Sequence, residues 1–271
     1  MNYQTIQAVA KALLKAQSSG QAIDPIKTDI ERLAQQEGKA VLEVAYAIQN
    51  AVTAQRLQQG SRLVGRKIGL TSKTVQQQLG VDEPDFGSLF AHMSYGCSEA
   101  VDISGWIQPK AEAEIALVLE RDLTHEHNTF ADIISATAYA LPAIEIVDSR
   151  IRNWEISLYD TVADNASAVA FVLGSRPVKL ENVELARCGM IMTCNGEEAS
   201  VGAGTACLGN PLNAAVWLAN KMARLGTPLR AGDIVLTGAL GQMVSISAGD
   251  ALWVEIEGLG QVKTNFVSTT K

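Results

Sequence analysis

The chain has 271 residues, enough to bury a substantial core as one large domain or as one domain with a smaller appendage. It is 47% hydrophobic and 19% charged, which excludes intrinsic disorder, and a net charge of -7 with no basic tract excludes nucleic acid as a partner. No segment approaches the roughly 18 consecutive apolar residues of a membrane span, and the N-terminal region lacks the apolar run of a signal peptide.

The N-terminal pattern is helical. Over residues 4–17, Ile6, Val9, Ala10, Leu13 and Leu14 make a stripe that Ser18-Ser19-Gly20 ends. A second stripe, Val41, Val44, Ala45, Ile48, Val52 and Leu57, predicts a helix over 40–57. Together these predict a helical N-terminal subdomain over 1–60 and a β-rich domain over 61–271. Residues 63–70 read as a strand with Gly65, Lys67 and Gly69 on one face. A lysine between two glycines either leaves room for a ligand at the backbone or protects an edge strand. Thr71-Ser72-Lys73 caps a short helix that Gly80 closes. Glu83-Pro84-Asp85-Phe86-Gly87 is a turn by composition, where an aspartate ordinarily orders its own backbone. Cys97, Cys188, Cys194 and Cys207 show neither CxxC pairing nor zinc spacing, so reduced thiols in a cytoplasmic protein are expected.

The stretch from Gln108 to Leu119 carries the strongest chemistry. Pro109 marks its entrance, and the apolar run from Ala113 predicts a buried strand. Alternation puts Glu112 and Glu114 on one face and Ala113, Ile115 and Leu117 on the other. Two carboxylates roughly 7 Å apart along a strand reach one divalent cation. The other reading is a solvated strand face. Residues 129–138 predict a helix leading into Leu141-Pro142-Ala143-Ile144-Glu145-Ile146-Val147, where Glu145 interrupts an apolar run. A buried unpaired carboxylate is costly. Glu145 therefore pairs with Arg150 or Arg152, or joins Glu112 and Glu114 in an all-oxygen site. Such ligands favour Mg2+, Mn2+ or Ca2+ over zinc or copper. His92, His125 and His127 build no alternative site. Residues 160–167 read as a polar loop whose groups either line a pocket or, by default, serve turn and capping duty, followed by an apolar run over 168–173.

Toward the C-terminus, Asn195-Gly196 between strand-like flanks predicts a hairpin. Residues 202–209 are glycine-rich but lack the Lys-Ser/Thr ending and βαβ setting of a phosphate loop. Asn210 caps, Pro211 starts and Gly226 stops a helix. Strands follow over 233–237, 243–246 and 252–256, then a Gly258-Leu259-Gly260 turn and a last strand.

Six motifs, taken in order, resemble one family. They are Gly65-Arg66-Lys67-Ile68-Gly69-Leu70-Thr71-Ser72, Val81-Asp82-Glu83-Pro84-Asp85-Phe86-Gly87, Pro109-Lys110-Ala111-Glu112-Ala113-Glu114-Ile115, Leu141-Pro142-Ala143-Ile144-Glu145, Asp164-Asn165-Ala166-Ser167 and Gly232-Asp233-Ile234-Val235-Leu236-Thr237-Gly238. Over nearly the whole chain the sequence is similar to the hydratase/decarboxylase branch of the fumarylacetoacetate hydrolase superfamily. The resemblance implies an α+β fold: a mixed β-roll core with flanking helices, the helical N-terminal subdomain over 1–60 and the catalytic domain over 61–271. It implies Mg2+ or Mn2+ held by Glu112, Glu114 and Glu145, with Lys67 and Asp85 as catalytic acid/base residues. Ser167 and Lys67 are the implied substrate contacts, and Asp148 is assigned a structural role.

The implied reaction is hydration of a 2-hydroxy-2,4-dienoate (a 2-oxo-enoate) in meta-cleavage catabolism of aromatic compounds. The alternatives are decarboxylation of a related oxalocrotonate diacid and hydrolysis of an acylpyruvate. A different class is a non-catalytic partner subunit that binds metal and a 2-oxo acid. The motifs are read as offering no additional cation for a second carboxylate, which favours the monoacid. Burial and the metal are expected to depress the basicity of Lys67. The resemblance also implies a homo-oligomer and allows a complex with a decarboxylase of the same pathway.

Overall fold

The structure, a computed structural model, describes residues 3–269. It opens with α1 (Tyr3–Ser19), α2 (Lys27–Glu37) and α3 (Val41–Gln58). The first and third match the expected stripes, except that Leu57 is exposed. The second was not expected, because its cap is not local: Ile26 precedes it without a side-chain cap. Its unpaired Ile26 and Lys27 N–H groups donate instead to Asp160 Oδ1, at 2.7 and 2.9 Å. Ile30, Leu33 and Ala34 form its buried stripe.

Next come β1 (Leu63–Gly69), α4 (Lys73–Leu79), β2 (Asp85–Phe90), β3 (Ser94–Gly96), β4 (Ala100–Asp102) and β5 (Lys110–Leu119). They are followed by α5 (Phe130–Ala136), β6 (Thr137–Val147), α6 (Leu158–Ala163) and β7 (Ala168–Leu173). The hairpin of β8 (Gly189–Cys194) and β9 (Glu197–Ala203) turns at Asn195-Gly196, and α7 (Pro211–Arg224) starts behind the Asn210 cap. The chain ends with β10 (Ile234–Leu236), β11 (Val244–Ser245), β12 (Ala251–Ile256) and β13 (Gly260–Val267). No helix among the described residues is long and apolar enough to cross a membrane.

Two expected loops are corrected. Asp85 does not sit in a turn: it begins β2, every residue of which is buried. The strand persists against its turn-like composition because its outer edge finds partners. Gln49 Nε2 donates to the Phe86 carbonyl at 2.8 Å, and Asn165 pairs with Ser88 in both directions. Residues 160–167 are not a polar loop either. Ser157 and Asp160 form a capping box for α6, and Asp160 through Ser167 are all buried.

Among the described residues the strands form two mixed sheets. One has the order β2-β1-β10-β5-β6-β7-β3, with β11 also on β5, and the other runs β4-β13-β12-β8-β9. On β5 the odd residues Ala113, Ile115 and Leu117 enter the main core, which α1 and α3 share. The even residues read Lys110, Glu112, Glu114, Ala116, polar at one end and apolar at the other. Ala116 joins a second cluster with Leu141, Ala143, Phe171 and Leu236 on the same face. The sheet curls over that face, since Asn165, at the entrance to β7, reaches Ser88 on the opposite edge strand. A curled sheet brings side chains from its separated strands to one place.

Candidate active site

The register of β5 against β6 sets Glu112 directly opposite Glu145, with Glu114 two residues further along the same face. Oxygens from all three lie within 4.8 Å of one another. Glu114 and Glu145 are fully buried. Glu114 Oε2 accepts the Gly238 N–H at 2.9 Å, whereas Glu114 Oε1 and both Glu145 oxygens have no hydrogen-bond donor. Burial pushes the Glu112 carboxyl up to about 7, with Lys67 opposing and Glu145 adding to the shift. Burial and then the neighbouring carboxylates carry Glu114 well above the usual carboxylate range, and burial raises Glu145 against the pull of Lys67. Three converging carboxylates, with oxygens of Glu114 and Glu145 short of donors, fit a hard divalent cation and offer nothing to a soft one.

The partner of Glu145 is neither arginine expected from its sequence neighbourhood. Arg150 is drawn to Asp164 in a buried pair, and Arg152 reaches Asp24 at the surface. Lys67 crosses from β1 instead, its Nζ 3.2 Å from Glu145 Oε2. The same ammonium donates to the Ala166 carbonyl, also at 3.2 Å. The expected effect of burial on Lys67 is present but outweighed by its carboxylate neighbours. Burial lowers its pKa, but Glu145, Glu112, Asp85 and Glu114 together outweigh burial and hold it charged.

Asp85 faces Gly69 across the β1–β2 pair, on the same side as Lys67. It is 2% exposed and its Oδ1 has no hydrogen-bond partner. Burial raises its pKa, with Lys67 opposing. Ser167 is buried too, and its Oγ likewise has no partner. It ends a run of three left-handed residues, Asn165, Ala166 and Ser167, with φ of 57°, 48° and 57°. Left-handed non-glycine residues cost on the order of 1–2 kcal/mol each. The run is held from both sides. Asn165 clamps it to Ser88, at 2.7 and 3.0 Å, while Arg150 binds Asp164 just before it. Without this strained turn the Ala166 carbonyl would not meet Lys67.

These groups open on a cleft of about 810 Å³ walled by Lys67, Asp85, Glu112, Thr71 and Ser167. Asp148 points away, accepting the Ile107 and Gln108 N–H groups, while His125 and His127 are exposed. The expectation that no further cation serves the cleft is wrong. Lys110 lines it, on the same strand face as Glu112, with its Nζ 4.5 Å from the centroid of the Trp154 ring. The period-two spacing of 110, 112 and 114 was sufficient to place it there. Asn165 and Trp154 carried no comparable local signal, since their partners are distant in the sequence.

Residues 66–267 match the family model described as fumarylacetoacetate (FAA) hydrolase, C-terminal. The chain is 61% identical over 261 residues to a protein of Paraburkholderia phymatum named 2-keto-4-pentenoate hydratase, covering 96% of this chain and 97% of that relative. It is 58% identical over 262 residues to a protein of the same name from Burkholderia vietnamiensis, covering 97% of each. Among solved structures it superposes on 4-oxalocrotonate decarboxylase from Pseudomonas putida G7, complexed with magnesium and adipate. The TM-score is 0.91 at 33% identity, covering 98% of this chain and 99% of that one.

Proposed function

This chain belongs to the fumarylacetoacetate hydrolase family, and on that premise we propose that it hydrates 2-hydroxypenta-2,4-dienoate (2-oxopent-4-enoate) to 4-hydroxy-2-oxopentanoate. It is then a hydro-lyase of meta-cleavage catabolism. The observation that carries the reading is the joint one: three converging carboxylates, two of them short of hydrogen-bond donors, beside Lys67 and Asp85, in a chain 61% identical to a 2-keto-4-pentenoate hydratase. Glu112, Glu114 and Glu145 would hold Mg2+ or Mn2+, which supplies Lewis-acid charge for the substrate carboxylate and 2-oxygen.

The protein's own groups handle protons and orientation. The 2-hydroxyl must lose a proton and C5 must gain one before C4 becomes electrophilic. Water then adds at C4 while C3 takes a proton. Lys67 and Asp85 are the acid/base couple for this traffic. Lys67 is held charged by its carboxylates and donates to the Ala166 carbonyl. Asp85, with Oδ1 free, takes the proton of the adding water. Ser167 Oγ, also free, is the substrate's hydrogen-bond partner.

The test is an assay with freshly generated 2-hydroxypentadienoate, with and without Mg2+ or Mn2+. Loss of the dienoate absorbance with formation of 4-hydroxy-2-oxopentanoate is expected only with the ion. Inert substrate under both conditions refutes the proposal.

A further inference from the structure

The glycine-rich segment 202–209 is no phosphate loop, yet it reaches the glutamate cluster from behind. Gly204 opens a single 3₁₀ turn, Gly204–Ala206, and seats it against the Leu185 carbonyl, where a Cβ would lie 1.7 Å from the oxygen. Past the turn, the Leu208 N–H donates to the carbonyl of Thr71, a residue of the cleft wall, at 3.0 Å. Cys207 is held between these two anchors. It is fully buried, and its thiol donates to the Thr237 carbonyl with Sγ 2.7 Å from the oxygen. Burial, and Glu114 after it, pushes this thiol up to about 12, so it is a donor and not a thiolate.

The Thr237 carbonyl belongs to the same peptide group as the Gly238 N–H, which donates to Glu114 Oε2 at 2.9 Å. A trans peptide is planar with its C=O and N–H on opposite sides, so neither bond can turn without the other. The chain around it follows β5 closely. The Thr237 N–H and Oγ1 both donate to the Ile115 carbonyl at 3.0 Å, and the Leu240 N–H donates to the Ala113 carbonyl at 2.9 Å. Extending the β5–β10 register would set Ala239, not Leu240, opposite Ala113. One extra residue therefore bulges out beside Glu114, which frees the Gly238 N–H from the ladder for the side chain. Gly238 has φ of 112°, and a Cβ there would lie 2.3 Å from Thr71 Oγ1, so the bulge requires glycine.

We propose that Cys207 is a positioning residue for the cation site: its thiol holds the Thr237–Gly238 peptide in the plane that aims the Gly238 N–H at Glu114 Oε2. Glu114 is thereby fixed by one oxygen, while Oε1 keeps no donor of its own. The inference rests on the three glutamates binding a cation, and it concerns a residue that does not line the cleft. Cys188 provides the control. It is also buried and donates to a carbonyl, that of Leu185 at 3.1 Å, but Leu185 is not part of the cleft.

The test is calorimetric titration of the full chain with Mn2+, with melting in chelator measured alongside. Cys207→Ala should weaken Mn2+ binding about ten-fold, the low end for loss of a group that orients a metal ligand. Cys207→Ser, whose hydroxyl donates to the same carbonyl, should stay within about two-fold of the unsubstituted protein. Cys188→Ala should lower the melting temperature and leave Mn2+ affinity unchanged. Unchanged Mn2+ affinity in Cys207→Ala overturns the role. So does a loss as large in Cys207→Ser or in Cys188→Ala, which would make the effect one of packing. Should Cys207→Ala not fold, Cys207→Val fills the space without a donor and carries the same expectation. Absence of Mn2+ binding to the unsubstituted protein overturns the cation site and this inference with it. Mn2+ binding without hydration of dienoate overturns only the proposed activity.

Discussion

Gly69→Ala tests the positioning of Asp85 without touching any charged group. Gly69 closes β1 opposite Asp85, and a Cβ there would lie 2.1 Å from Asp85 Oδ1, where ordinary contact begins near 3.4 Å. Its φ is not in the left-handed region, so alanine brings steric conflict and no backbone strain. The carboxylate oxygen must retreat by more than 1 Å, and Asp85, at 2% exposure, has little room to turn. Misplacement by about 1 Å costs on the order of 100-fold in rate, near 2.7 kcal/mol of barrier. We expect kcat for dienoate hydration to fall by about that factor. KM and Mn2+ affinity should hold, since the cation ligands stand on β5 and β6. Asp85→Ala and the Gly69→Ala/Asp85→Ala double variant should then be equally slow, because the glycine acts through the aspartate. Full activity in Gly69→Ala, or losses that multiply in the double variant, would refute the reasoning.

Glu114→Gln keeps an acceptor for the Gly238 N–H but removes a ligand charge, so Mn2+ affinity by calorimetry should drop at least about 100-fold with the circular dichroism unchanged. Glu145→Gln should also lose the ion, and in chelator it should melt lower than Glu114→Gln. It strips buried Lys67 of its closest counter-charge, an effect of a few kcal/mol, whereas Glu114→Gln relieves like-charge repulsion. A reversed order of melting would count against this charge assignment. All three carboxyls are raised, so the ion-free fold holds protons that the unfolded chain releases. Ion-free stability should therefore decline as pH rises through about 7, the value for Glu112, and apparent Mn2+ affinity should climb over the same window. Denaturant titrations in chelator at stepped pH check the sign. Asn165→Ala removes two buried hydrogen bonds to Ser88 and frees the left-handed run, at about 3 kcal/mol of stability. It should slow turnover while leaving Mn2+ affinity intact, and a variant as fast as the parent would remove the loop from the catalytic argument.

Where each part of the site could be read from the sequence depends on how local its cause is. The shared face of Glu112 and Glu114 follows from strand alternation alone. That Glu145 stands opposite Glu112 follows from the β5–β6 register, which joins residues more than thirty apart in the chain. The arginine alternative for Glu145 rests on closeness in sequence and fails because the Arg150 guanidinium is committed to Asp164. α2 escaped notice because its cap, Asp160, lies 134 residues beyond Ile26. β2 looked like a turn because Pro84, Asp85 and Gly87 are turn formers, and only distant Gln49 and Asn165 make an edge strand of it. Lys110 was legible from the same alternation that placed the glutamates.

The charge count at the site dictates an order of events. Glu112, Glu114, Glu145 and Asp85 face a single ammonium, Lys67, and all five are brought together by one curled sheet. Burial first, and the neighbouring carboxylates after it, favour the protonated forms of Glu112 and Glu114 when no cation is bound. An anionic dienoate or 2-oxo acid entering that field meets repulsion at close range, and Lys110 at the wall is too weak a counterweight to reverse it. A divalent cation changes the sign of the problem, both by cancelling two charges and by offering the substrate carboxylate a ligand position. Binding must then be ordered, cation before acid. A slow, non-hydrated analogue such as pyruvate should show no heat of binding in chelator and saturable binding once Mn2+ is present, with Mn2+ held more tightly when the acid is there. Tight pyruvate binding in chelator, insensitive to Mn2+, would mean that the glutamates repel nothing, and the electrostatic account of the site would have to be abandoned.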